Sequence, residues 1–168
     1  IGNLKRQEYY EELLRLIYRL IFLFAAEDRN LLHVPAAPET ARKAYIGGYS
    51  LHRLRERSVR NASLDKNIDA WEGIKALFNA LADGQSALGL VALGGLFEPQ
   101  KLSNLTPLKI ENKRFLKAVW HLSWFRPEGQ TMTKVNWRDM ETEELGSVYE
   151  SLLELTPEVD LDARDFTF

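Results

Sequence analysis

LLRLIYRLIFLF, residues 13–24, forms the strongest helical pattern in this sequence. Its apolar residues recur at intervals of three and four, which is the spacing of one face of an α-helix. Phe22 and Leu23 widen this stripe beyond one face, and a helix that is apolar on most sides lies inside a core. We therefore expect a long helix, capped by Asn3, from residue 4 to about residue 32, at the centre of a helical bundle.

Two short helices are expected between residues 39 and 60. The prolines of VPAAP, residues 34–38, indicate a loop, and the first short helix then runs from residue 39 to about residue 46, where Gly47 and Gly48 would end it. Ser50 can cap the second helix, LHRLRERSVR, over residues 51–60.

Longer apolar stripes predict three more helices. One opens at Ser63 or Asp65 and closes at Gly84, one starts at Asn112, and Thr142 caps the last. Their apolar positions are Ile68, Trp71, Ile74, Leu77, Phe78 and Leu81, then Phe115, Leu116, Val119, Trp120 and Leu122, then Leu145, Val148, Tyr149, Leu152 and Leu155.

The segments between these helices carry other signals. Glycines and prolines interrupt short apolar pieces over residues 84–107, which indicates one long loop that packing keeps ordered. Residues 131–137 alternate enough for one extended piece. The expected fold is mainly α: a bundle-like single domain over residues 1–168, with one long ordered loop and at most a short β element.

Composition limits the class of protein. The chain has 168 residues, of which 45% are hydrophobic, enough for one core without metal or disulfides. It contains no cysteine, which excludes a thiolate nucleophile and a cysteine zinc site and suits a reducing cytoplasm. The first residues do not resemble a secretory signal, and the longest apolar run, residues 16–26, is shorter than the ~20 residues of a membrane span. We expect a soluble, cytoplasmic chain with no membrane partner.

Charge is distributed unevenly. Residues 139–165 contain ten Asp or Glu and one basic residue, Arg164, so their net charge is −9, while the rest of the chain carries +7. An acidic end of this kind is typically a solvated face. A basic body can contact the phosphates of nucleic acid.

The helix of residues 51–60 is the candidate nucleic-acid contact. Arg53, Arg57 and Arg60 fall at i, i+4 and i+7 and so share a helical face that can meet successive phosphates of a DNA backbone. Further cations lie nearby in the sequence, namely Arg42, Lys43 and Arg55. An ordinary solvated face, with Glu56 alongside, is the alternative.

Patterns for catalysis or metal binding are weak. The three histidines, His33, His52 and His121, have no metal-ligand spacing, and neither a G-x-S-x-G elbow nor a phosphate-binding loop is present. Glu111 and Lys113 resemble the E-x-K strand of magnesium-dependent nucleases, but the partner Asp is missing and Asn112 as a helix start explains the residues better. We assign no catalytic, cofactor-binding or metal-ligating residue, and expect the four tryptophans in the core.

Four stretches together resemble one family. They are LIYRLIFLFAAEDRNLL (16–32), YSLHRLRER (49–57), LGGLFEP (93–99) and VNWRDMETEELGSVYESLLELTP (135–157). In order and spacing they are similar to the helical region before the catalytic core of type IIG-like restriction-modification enzymes and of the adenine-specific DNA methyltransferases of BREX and DISARM defence systems.

The resemblance implies a connector without chemistry of its own. In that family the S-adenosylmethionine fold and an N-P-P-Y-type tetrapeptide that holds the flipped adenine come after this region. This sequence contains neither, so the cofactor and the catalytic residues would belong to a longer parent chain. Expected partners are the adjacent methyltransferase, an upstream nuclease or helicase-like module, and DNA. The alternative is a free-standing helical domain that binds protein or nucleic acid, and a nuclease fragment is a third possibility.

Overall fold

The computed structural model describes residues 2–154, 158–160 and 165–167. Six α-helices lie in this part of the chain: α1 (Gly2–Asp28), α2 (Glu39–Gly48), α3 (Leu51–Ser58), α4 (Asp69–Asp83), α5 (Asn112–Ser123) and α6 (Thr142–Glu154). Two antiparallel pairs of short strands accompany them: β1 (Trp124–Phe125) with β2 (Thr133–Lys134), and β3 (Glu158–Asp160) with β4 (Asp165–Thr167). The prediction of a mainly helical fold with little β structure is confirmed.

The core surrounds α1. Leu20, Leu23 and Phe24 are at most 2% exposed, and α1 contacts α3, α6 and the turn at residues 99–102. Trp71 and Trp137 are buried, as expected for core residues, whereas Trp120 and Trp124 are only half-buried. The widened apolar stripe of residues 13–24 therefore packs against several elements at once.

Both ends of α1 differ from the prediction. The helix includes Asn3, which therefore is not its cap, and it ends at Asp28 instead of residue 32. Asn30 adopts a left-handed φ of 56°, and the Leu31 N–H donates to the Ala26 carbonyl at 2.9 Å. This is a Schellman ending, in which asparagine tolerates the left-handed position that stops the helix.

The boundaries of three further helices also differ. Gly47 and Gly48 form the last turn of α2 instead of following it. α3 ends at Ser58, so Arg60 lies beyond the helix. α4 begins at Asp69, because the side chain of Asp65 accepts the Asn67 N–H at 3.0 Å and keeps the preceding segment in a turn.

α6 is capped by Glu141 and not by Thr142. The Glu141 carbonyl accepts the Leu145 N–H at 3.0 Å, and the Glu144 carboxylate accepts the Glu141 N–H at 2.7 Å, as in a capping box. The apolar stripe of α6 is half-buried where it is described; Leu155 lies outside the described residues. The expected extended piece at residues 131–137 is a strand only at residues 133–134.

Polar side chains from α1 help to hold the long loop between α4 and α5. The loop contains three short 3-10 turns and buries Phe97, Leu102 and Leu105. The buried carboxylate of Glu12 accepts the backbone N–H groups of Asn104 and Leu105 at 2.9 and 3.0 Å. Arg19 donates to the Glu98 carbonyl at 2.9 Å, and burial lowers its pKa to about 10. Packing alone, as predicted from the sequence, does not order this loop.

Candidate functional site

The N-terminus of α3 is fastened to the end of α1 by one carboxylate. Glu27 accepts the backbone N–H groups of Leu51 and His52 at 2.7 and 3.1 Å and the hydroxyl of Tyr45. Ser50, the predicted cap, accepts the Arg53 N–H at 3.2 Å. Burial raises the pKa of Glu27, although these hydrogen bonds to the charged form oppose the rise. The donors of the first turn of α3 are thus satisfied partly by a residue of another helix.

This attachment determines which arginines of α3 face outward. Arg53 is exposed, whereas Arg55 is 3% exposed and its guanidinium carbon lies 4.5 Å from the ring centroid of Phe24. Burial lowers the pKa of Arg55. Arg55 lies close in sequence to Arg53 and Arg57 and was expected to add a further cation for DNA. A buried guanidinium packed on a core ring cannot reach a phosphate.

Arg53, Arg57 and Arg60 line one depression of about 380 Å³, together with Ser50, His52 and Glu56. We call this the arginine depression. The three arginines expected to share a face therefore border one concave surface, even though Arg60 lies beyond the helix. Their environments differ: the Arg60 side chain is 67% exposed and lies 3.7 Å from Glu56, whereas the Arg57 side chain is 16% exposed.

Arg57 belongs to a polar junction that the sequence did not reveal. Its guanidinium donates to Asp69 at 2.8 Å, and this hydrogen bond, with a second from Asn112, lowers the pKa of Asp69. Asn112 is fully buried and donates to both Asp65 and Asp69 at 2.7 Å. Its side-chain oxygen accepts the Ala70 N–H at 3.0 Å. Asn112 starts α5, as expected from the sequence, and its side chain also caps α4.

The structure does not support a nuclease site at Glu111 and Lys113. Glu111 occupies the N-cap position of α5, and Lys113 lies inside this helix, so the two residues are not on a strand. In the part of the chain that is described, no three histidine or acidic side chains are grouped to hold a metal ion. His52 hydrogen-bonds Asp28 at 2.9 Å, while His33 and His121 pack edge-on against Tyr45 and Trp120.

A second cavity adjoins the arginine depression. It has a volume of about 280 Å³ and shares Ile46, Ser50 and His52 with the depression. We call it the adjacent pocket. Its remaining lining residues are Ala26, Glu27, Asn30, Leu32, His33, Arg42 and Tyr45. Apolar walls with a few polar groups are typical of small-molecule sites.

Residues 135–154 are held against α1 by a set of contacts that we call the clasp. The Trp137 ring lies parallel to Phe24 with centroids 6.2 Å apart. Arg29 donates to the carbonyls of Arg138, at 2.9 Å, and of Met140. Tyr149 packs on Tyr18 with centroids 4.9 Å apart. The Tyr10 hydroxyl also donates to the Leu152 carbonyl at 3.1 Å, so the clasp joins α6 and the segment before it to both halves of α1.

Within the described residues, no helix combines the length and the apolar character needed to cross a membrane. No family model, curated protein or solved structure matches this chain.

Proposed function

We propose that this chain is a non-catalytic helical connector of an adenine-N6-specific DNA methyltransferase that acts in restriction-modification or phage defence. The supporting observation is that the four stretches of the family resemblance meet around one half of α1; they are residues 16–32, 49–57, 93–99 and the described part, 135–154, of the stretch 135–157. Segments that resemble one region of one family, and that also pack together, fit a single folded unit better than four chance matches do.

The contacts between the stretches are specific. Phe24 of the first stretch touches Arg55 of the second and Trp137 of the fourth. Phe22 of the first stretch lies 5.9 Å, centroid to centroid, from Phe97 of the third. Each stretch therefore uses a side chain that belongs to the resemblance to reach α1.

The connector acts by holding neighbouring modules in a fixed relation. The clasp fixes α6 to α1, and the resemblance implies that the methyltransferase core, with its S-adenosylmethionine site, follows this helix. An upstream nuclease or helicase-like module would attach on the other side. Such a connector performs no chemistry; a rigid link transmits orientation between sites.

DNA is a partner of the parent chain, and Arg53, Arg57 and Arg60 supply a direct backbone contact. Their placement around one depression supports this assignment. Contacts to phosphates carry no base information, so binding is weak, insensitive to sequence and steeply reduced by salt. The exposed pair of Arg60 with Glu56 does not prevent the contact, because such surface ion pairs are worth little.

The product of the complete reading frame tests the connector role. Incubated with S-adenosylmethionine and unmethylated DNA, it should form N6-methyladenine. Arg29→Ala, which weakens the clasp, should lower this rate while leaving S-adenosylmethionine affinity unchanged. An exposed control, Arg126→Ala, should change neither quantity. A full product that neither methylates adenine nor carries methyltransferase motifs beyond residue 168 would overturn the proposal.

A further inference from the structure

The arginine depression and the adjacent pocket adjoin each other, and we refer to the two together as the groove. They share three lining residues, Ile46, Ser50 and His52, at the junction of α2 and α3. A ligand that occupies both cavities therefore passes over this shared wall. The two ends of the groove differ in chemistry, and this difference indicates what the ligand must carry.

The arginine end suits a phosphate group. Arg53 and Arg60 are the exposed cations at this end, and Glu56 is the one carboxylate among the lining residues; Arg57 is already paired with Asp69 at 2.8 Å. The planar guanidinium group donates two parallel hydrogen bonds to phosphate oxygens. Arg60 can exchange Glu56 for a phosphate at little cost, since both side chains are at least 67% exposed.

The other end suits one flat ring system. Its volume of about 280 Å³ is just below the range of about 300–1,000 Å³ that drug-sized ligands occupy. Leu32, Tyr45 and Ile46 supply apolar and aromatic walls. Asn30 and His33 add groups that can donate and accept hydrogen bonds, as the edges of a nucleobase require.

Glu27 is part of the pocket wall, but it is not a ligand group. Its two oxygens already accept hydrogen bonds from Tyr45, Leu51 and His52. It therefore keeps the wall rigid by fastening α3 to α1. Base recognition must come from the rim, not from this carboxylate.

We propose that the groove binds a nucleotide, with its phosphate on Arg53 and Arg60, beside Arg57, and its base in the adjacent pocket. The inference extends the phosphate contact proposed above and is independent of the methyltransferase assignment. The same chemistry is present in a free nucleotide and in an unpaired nucleotide of a DNA strand. Duplex DNA offers the phosphate but keeps its bases stacked.

Calorimetry with three probes separates the two ends. Adenosine 5′-monophosphate should bind at least about tenfold more tightly than adenosine, which lacks the phosphate, or ribose 5-phosphate, which lacks the base. The double reversal Arg53→Glu/Arg60→Glu should remove the gain from the phosphate. Ile46→Trp should remove the gain from the base, because the larger side chain on the shared wall fills the space of the pocket. The fold should tolerate the change, since Ile46 is 59% exposed.

Matched controls exclude general effects. Lys109→Glu/Lys117→Glu reverses two exposed lysines that do not line the groove, and Val59→Trp adds an indole at a residue that is 53% exposed and outside it. Both controls should bind adenosine 5′-monophosphate as the parent does. Thermal melting should confirm that all variants are folded.

Fluorescence anisotropy with labelled DNA identifies the source of the nucleotide. If the protein binds single-stranded DNA and both groove variants abolish this binding, the ligand is an unpaired nucleotide of a strand. If it binds the nucleotide but not the strand, the ligand is a free nucleotide. Ribose 5-phosphate that binds as well as the nucleotide would overturn the base pocket and leave the phosphate contact standing. Two results would overturn both the base pocket and the phosphate contact: an equal loss of affinity in the lysine and the arginine reversals, or no binding of any phosphate probe at low salt. Neither result would affect the methylation test.

Discussion

At the scale of single residues, buried polar side chains join helices that are distant in sequence. Asn112 from α5 supplies the capping oxygen of α4, and its amide donates to Asp65 and Asp69. Through Asp69 the same junction reaches Arg57 of α3. Since buried polar groups stabilise a fold only when they are satisfied, each member of this junction depends on the others.

Replacing Asn112 should destabilise the protein strongly. Asn112→Ala removes a helix cap and two donors to carboxylates, and we expect a loss of about 2–4 kcal/mol of unfolding free energy, measured by urea denaturation. Asn112→Asp should also be destabilising at neutral pH, because it places a third carboxylate beside Asp65 and Asp69. The exposed Asn79→Ala in α4 is the control and should change stability by no more than about 0.5 kcal/mol. An Asn112→Ala protein as stable as this control would contradict the capping role.

The Asp69 carboxylate should make part of the stability depend on pH. Hydrogen bonds from Arg57 and Asn112 lower its pKa below the ordinary 3.8, and a carboxyl with a depressed folded-state pKa contributes stability above its unfolded pKa. That contribution is lost as the pH falls through the folded-state pKa. Asp69→Asn should therefore be less stable than the parent at pH 7, by no more than about 1 kcal/mol because the side chain is 59% exposed.

Urea denaturation at two pH values measures this effect. The difference between Asp69→Asn and the parent should shrink as the pH is lowered from 7 to about 3, below the ordinary value of 3.8. Arg57→Gln should also be less stable than the parent at pH 7, and this deficit should shrink over the same pH window. At pH 7 the double variant should lose less than the sum of the two single losses. A difference that stays constant with pH would rule out the ion pair as its origin.

At the scale of elements, α1 combines an apolar surface with polar side chains that reach other segments. Its apolar residues fill the core, while Glu12, Arg19 and Glu27 each bind backbone groups of distant segments. Arg29, just after the helix, holds the chain before α6. One helix thus determines the positions of α3, of the long loop and of α6.

Truncation within α1 tests its central place. Leu20 is 2% exposed, so Leu20→Ala should leave a cavity and cost about 2–5 kcal/mol. Leu31→Ala is the matched control, since Leu31 is 63% exposed and its loss should cost no more than about 0.5 kcal/mol. If the two variants melt at the same temperature, α1 does not lie at the centre of the core.

The clasp should be separable from the rest of the fold. Arg29→Ala removes two hydrogen bonds to carbonyls and should speed amide hydrogen exchange in residues 136–154, with a cost of about 1–3 kcal/mol to their local stability. Exchange in the buried part of α4 should stay as in the parent. Arg29→Lys should not rescue the variant, because one ammonium does not reproduce the fork that spans both carbonyls. Unchanged amide exchange in α6 would show that the ring contacts of Trp137 and Tyr149 are enough to hold α6 against α1 without Arg29.

At the scale of the whole molecule, the groove and the clasp are built mainly by different elements around α1. The groove lies at α2 and α3, while α6 approaches α1 through Tyr10, Tyr18 and Trp137. The net charge of −9 over residues 139–165 also separates this end from the basic body.

The chain of 168 residues should by itself neither methylate DNA nor bind S-adenosylmethionine. It has no N-P-P-Y-type tetrapeptide and no glycine-rich cofactor loop after a strand. Calorimetry with the cofactor and a methylation assay on unmethylated DNA check this. A stoichiometric complex of micromolar affinity would contradict the assignment of a connector.

Local periodicity was enough to predict the helices. The apolar spacing of residues 13–24 predicted a buried α1, Ser50 was correctly expected to cap α3, and Gly84 to close α4. These features depend on residues three or four apart, and such neighbours interact within one helix whatever the rest of the chain does. The i, i+4, i+7 spacing likewise predicted that Arg53 and Arg57 border one surface.

Tertiary structure alone decided which polar side chains are buried or paired within the fold. Arg55 and Arg57 have similar sequence surroundings, yet one is buried on Phe24 and the other is paired with Asp69. Asn112 caps α4 by accepting the N–H of Ala70, which lies 42 residues earlier in the chain. Glu27 caps α3 from 24 residues away. Such pairs form only when separate helices pack, so no periodic pattern within one segment records them.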